Sequence, residues 1–148
     1  GLYMYGFARR HPERVACLYG DAPVCDFKSW PGGKFHGNGN AAEWQSLIKI
    51  YEFIDEAEAM AYKLNPVDAF DPIAKAGIPI VHVVGDADTD VPPAENTDVL
   101  IPRYRALAEK RSSRPPAVVV IRKPDCAHHP HGLDDQTPIV NFIRSSCK

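Results

Sequence analysis

Two apolar patterns alternate along the chain. Val15-Ala-Cys-Leu-Tyr19, Ile78-Pro-Ile-Val-His-Val-Val84 and Ala117-Val-Val-Val-Ile121 are short, nearly continuous apolar runs. Such runs suit strands buried on both faces, as in a parallel sheet. The other apolar residues recur at helical spacing. Leu2 to Arg10 reads as a helix, with Leu2, Tyr5 and Phe7 or Met4 available to one face. His11-Pro12 stops it, because a residue before proline is pushed out of the helical region. Trp44, Leu47, Ile48, Tyr51 and Ile54 mark a second helix, and Glu56 to Leu64 a further one ended by Asn65-Pro66. Pro66 to Lys75 reads as another, with Gly77 as its breaker. Glu95 to Lys110 and Pro138 to Ile143 complete the set.

Strands alternating with helices predict an α/β fold built on a mostly parallel sheet of about three strands flanked by helices. A sheet that thin leaves an edge unpaired unless more chain or another copy covers it. A long loop, Trp30 to Asn40, carries Gly32, Gly33, Gly37 and Gly39 and is too large for a plain turn.

At 148 residues the chain is expected to form one domain, 1–148. Its 17 basic and 19 acidic residues leave a net charge of −2, which removes the usual electrostatic argument for nucleic acid or an anionic membrane surface. Its apolar runs are too short to span a bilayer. Gly1-Leu-Tyr-Met-Tyr begins at once with helix-like sequence, with no initiator Met or signal peptide. The expectation is therefore a truncated domain whose N-terminal half is missing. Cys17, Cys25, Cys126 and Cys147 contain no C-x-x-C pair, and sequence cannot choose between free thiols and disulfides.

In open parallel sheets, sites form at the carboxyl ends of the strands. The two strongest strands both end in ionisable loops, Gly85-Asp-Ala-Asp-Thr-Asp-Val-Pro92 and Lys123-Pro-Asp-Cys-Ala-His-His-Pro-His131. An acid after one strand and a histidine after the next is the supporting half of a nucleophilic triad. The acid fixes the imidazole tautomer, and the histidine moves the proton.

These loops resemble the C-terminal half of an α/β-hydrolase, and the resemblance covers essentially the whole chain. G-x-x-D-x-x-V-P, standing as Gly85 to Pro92, looks like the family's acid loop and places the triad acid at Asp88. The histidine stretch looks like the final-strand loop and places the base at His128. Asp21 or Asp26, one strand earlier, is the alternative acid. Gly1-Leu-Tyr3 resembles the residues after the G-x-S-x-G nucleophile elbow. The chain contains no such elbow, and Cys126 stands where the family often has glycine.

The resemblance implies a serine-type enzyme that hydrolyses a small-molecule carboxylic ester, needs no cofactor, and draws its nucleophile from upstream residues. The 148-residue chain alone is then expected to be inactive. A peptidase of the same fold and a non-catalytic binding module are the alternatives. Residues 26–65 occupy the position of a cap, where Trp30 and His131 are candidate substrate-binding residues. Aromatic residues there suit a carbohydrate-linked ester. Trp44, Leu47, Ile48 and Tyr51 are expected to pack the cap helix. A further reading makes His128, His129, His131 and Asp134 or Asp135 a metal site, although H-H-P-H has no helical i, i+4 pair.

Overall fold

A computed structural model describes residues 1–147. Among the described residues, six α-helices and three strands form a mixed α/β fold. The helices are α1 Leu2–Arg10, α2 Ala41–Ile50, α3 Glu56–Ala61, α4 Asp71–Ala76, α5 Thr97–Arg111 and α6 Thr137–Ser146. The strands are β1 Leu18–Asp21, β2 Ile80–Gly85 and β3 Val118–Lys123. They form one open parallel sheet in the order β1-β2-β3. Strand β2 lies in the middle and is buried at every position, as its continuous apolar run requires. Among the described residues, the outer edges of β1 and β3 have no strand partner.

The main core joins Tyr5 and Ala8 of α1, Leu18, Ile73 and Ala74 of α4, Ile80, and Leu100, Ile101 and Tyr104 of α5. A second cluster lies within residues 26–65. Phe27 sits at its centre, in ring contact with Trp44, Tyr51, Phe53 and Tyr62. Trp44 and Leu47 are thus packing residues, as expected, but they pack onto Phe27 and Leu2.

Most element boundaries shift by a few residues from the sequence reading, and three shifts have an identifiable cause. Strand β1 runs from Leu18 to Asp21, later than Val15–Tyr19, because Gly20 and Asp21 pair with His82 and Val83. The apolar run stops at Gly20-Asp21, so from sequence Gly20 reads as the end of the strand. It is instead a close-approach residue, since a Cβ there would lie 2.9 Å from the His82 ring.

The helix from Trp44 ends at Ile50 rather than Ile54, which is 90% exposed. A competing cap decides this. Asp55 accepts from the Glu58 N–H, and Glu58 reaches back to the Ile54 N–H, so a new helix starts at Glu56.

The stretch from Pro66 forms a turn closed on the Asn65 carbonyl, and α4 begins only at Asp71. That start puts Pro72 in a first turn, where its missing N–H costs nothing. A start at Pro66 would bury Pro72 inside the helix.

Candidate active site

The carboxyl ends of all three strands face one edge of the sheet, and each delivers an ionisable loop there. The acid loop leaves β2 at Gly85 and the histidine loop leaves β3 at Lys123. The two are joined backbone to backbone. Asp86 N–H donates to the Lys123 carbonyl at 3.1 Å, and Ala87 N–H donates to the Cys126 carbonyl at 2.9 Å. Gly85 permits this crossing: a Cβ there would lie 2.3 Å from the Cys126 oxygen and 2.4 Å from that of Ala127.

The crossing brings Asp88 to His128. Asp88 Oδ2 and His128 Nδ1 are 2.8 Å apart, across a separation of 40 residues. Asp88 Oδ1 accepts from the Asp90 and Val91 N–H groups at 2.9 and 2.8 Å. The Asp88 side chain is 1% exposed and that of His128 is 23% exposed. An ionised carboxylate only accepts hydrogen bonds, so Nδ1 carries the proton of the neutral ring and Nε2 keeps its lone pair. Three hydrogen bonds thus hold a buried acid, which in turn orients a partly exposed base.

His131 stands beside this pair, its ring centroid 4.9 Å from that of His128. Its Nδ1 lies 3.5 Å from Asp21 Oδ1. Asp21, at the end of β1, anchors the loop: its Oδ2 accepts from Gly132 N–H at 2.6 Å and from the Tyr19 hydroxyl at 2.9 Å. Burial and the Asp21 carboxylate push the Tyr19 hydroxyl up to about 12. Asp21 faces His131, and the alternative acid Asp26 is bonded to Lys28 N–H and the Asn65 amide. Asp88 alone of the three candidate acids meets His128.

Trp30 lines a cavity of about 370 Å³ with Leu2, Tyr3, Leu47 and Tyr51, and neither Asp88 nor His128 lines it. The larger cavity, about 520 Å³, lies between Lys28, His36, Met60, Lys63, Glu95 and Arg103, again without Asp88 or His128. His131 lines a third, of about 420 Å³, with Arg122, Cys126 and Leu133.

Two residues not singled out in the sequence hold residues 26–40 against the acid loop and the start of α5. Glu95 accepts from Ser29 Oγ at 2.6 Å and from the His36 and Gly37 N–H groups at 2.6 and 3.1 Å. Asn96 accepts from the Cys25 and Asp26 N–H groups and donates to Ser29 Oγ. Asn38 completes the contact by donating to Thr89 and Asp90.

A third residue, His82 of β2, is fully buried between the Tyr5 hydroxyl at 2.7 Å and Thr97 Oγ1 at 3.0 Å. Burial lowers its pKa to about 3, so it stays neutral and serves the core. All four cysteines are free thiols.

Compared with known proteins, the chain matches no protein-family model, no curated protein and no solved structure.

Proposed function

We propose that this chain carries the acid and the base of a Ser-His-Asp hydrolase of the α/β-hydrolase type, acting on a carboxylic ester. The observation that supports it most is the 2.8 Å contact between a buried Asp88 and Nδ1 of a solvent-reachable His128. Asp88 holds the tautomer whose Nε2 is free. His128 takes the hydroxyl proton of a serine as that oxygen attacks the ester carbonyl. It then returns the proton to the leaving alkoxide as the acyl–serine bond is kept. Water repeats the sequence in the second half, releasing the acid and restoring the serine. Asp88 stays ionised throughout and stabilises the imidazolium.

The serine and the oxyanion-hole donors belong, in this reading, to an elbow in residues preceding Gly1. The free edge of β1 is consistent with it, because a strand feeding α1 through a right-handed crossover would sit there. Residues 26–65 act as the cap, tied to the acid loop through Glu95 and Asn38. His131, whose ring stands beside that of His128 and which lines the cavity of about 420 Å³, is the candidate substrate contact.

The test is ester hydrolysis by the protein carrying its own upstream residues. Asp88→Asn lowers kcat about 10⁴-fold, by holding the wrong tautomer, and His128→Ala lowers it at least as far. The 148-residue chain alone shows no serine-type turnover. Full activity in His128→Ala would overturn the reading. Faster cleavage of an amide than of the matched ester would assign the site to peptides instead.

A further inference from the structure

The histidine loop holds a feature that proton transfer does not need. His128, His129 and His131 each offer a ring nitrogen, and these three atoms lie within 4.8 Å of one another. Their ring centroids are 4.5 to 5.0 Å apart, and each pair of rings stands nearly perpendicular. We propose that the three side chains form a binding site for a divalent transition-metal ion of the zinc class.

Two of the three rings are backed by a carboxylate on Nδ1. Asp88 lies 2.8 Å from His128 Nδ1, and Asp21 lies 3.5 Å from His131 Nδ1. That oxygen of Asp21 is buried and has no hydrogen-bond partner. Carboxylate–histidine–metal is the arrangement by which proteins fix the tautomer of a ligating imidazole and raise its basicity. For His128 it leaves Nε2 as the ligand atom. A bound ion therefore occupies the nitrogen that proton transfer uses, and the metal-bound and hydrolytic states exclude one another. For His131 the Asp21 carboxylate lies within ion-pair reach of Nδ1.

The loop is also held in place at several points. Gly132 N–H is tied to Asp21, the Lys123 ammonium donates to the Pro130 carbonyl, and the Cys126 thiol donates to the His129 carbonyl. A tetrahedral ion with bonds of about 2.0–2.1 Å needs nitrogens roughly 3.3 Å apart. His129 and His131 are exposed, so no core packing opposes rotation of their rings toward that spacing. Their exposure leaves a fourth position to water, so the set is the open three-histidine kind. Neither Asp134 nor Asp135 joins the cluster.

The site is read without assuming any hydrolytic activity, because binding is measured directly. The probe is zinc alone, titrated calorimetrically into the tag-free protein, with cobalt as a spectroscopic stand-in for coordination number. One equivalent of zinc binds. His129→Ala and His131→Ala each weaken it at least tenfold, and Asp21→Asn weakens it about 10- to 100-fold. His36→Ala, whose ring is 97% exposed and is not one of the three clustered histidines, leaves it unchanged. Both histidine variants alter exposed side chains, so circular dichroism confirms that each is folded. Absence of stoichiometric binding overturns the proposal. So does binding that survives His129→Ala and His131→Ala combined.

Discussion

Acidification tests the core most sharply, through His82. The ring is fully buried on β2, and burial depresses its pKa to about 3 from an ordinary 6.5. A folded value below the unfolded one means that the unfolded chain binds a proton first as pH falls. The stabilisation is complete above about pH 6.5 and is lost steadily down to about pH 3. Each pH unit within that window costs about 1.4 kcal/mol. At pH 4.5 the loss is about 2–3 kcal/mol, and by pH 3 it is about 4–5 kcal/mol. Total stability of a domain is about 5–15 kcal/mol, so this one ring removes a large share of it.

The assay is urea unfolding at pH 7.5, 6.0, 5.0 and 4.5, for the native protein and for His82→Gln. Glutamine retains hydrogen-bonding capacity toward Tyr5 and Thr97 but cannot titrate in this range. The variant is weaker at neutral pH, because its shape is wrong. Its stability nevertheless falls less steeply below pH 6.5, by about 1.4 kcal/mol per unit. Carboxylates titrate alike in both proteins and cancel in the difference. Parallel pH profiles would refute the argument, by showing that His82 does not stay neutral in the folded state.

Two further outcomes follow from the same geometry. Gly85→Ala forces a methyl against backbone oxygens 2.3 and 2.4 Å away, which cannot move as a side chain would. It destabilises the protein by about 1–3 kcal/mol and displaces the histidine loop. The His128 Nδ1–H resonance, sharp and downfield in the native protein, is then lost or shifted in proton NMR, and an unchanged resonance would contradict the crossing of the loops. Thiol titration separates the cysteines: Cys147 is exposed and reacts first, while burial pushes the fully buried Cys25 thiol up to about 12. Cys25 reacts only on unfolding, and rapid modification of four thiols in the native protein would contradict that burial.

The three strands and their order in the chain were legible because the signal is local. The run Ile78–Val84 names a buried strand without reference to anything distant. Strand β3, read as buried in the same way, instead lies at the sheet edge with no position fully buried, because no strand pairs beyond it among the described residues. The Asp88–His128 pair was legible for a related reason. In a parallel sheet adjacent strands end on one side, so loops 40 residues apart in sequence become neighbours.

What escaped the sequence depends on partners far along the chain. Gly20 reads as a breaker until His82 is placed against it. Asp21 holds Gly132 across 111 residues, and nothing near either residue announces the link. Glu95 was read as the first residue of a helix. Its carboxylate instead gathers Ser29, His36 and Gly37 from the glycine-rich loop. Trp30 was expected near the chemistry, yet its cavity includes neither Asp88 nor His128.

The central claim is that His128 is a base awaiting a serine outside these 148 residues. The direct measurement is labelling of the protein, with its upstream residues present, by a fluorophosphonate, followed by mapping of the modified residue. The account predicts one labelled serine, preceding Gly1 within a G-x-S-x-G turn, and loss of labelling in His128→Ala. A label on a residue within the 148, or labelling indifferent to His128, would contradict it.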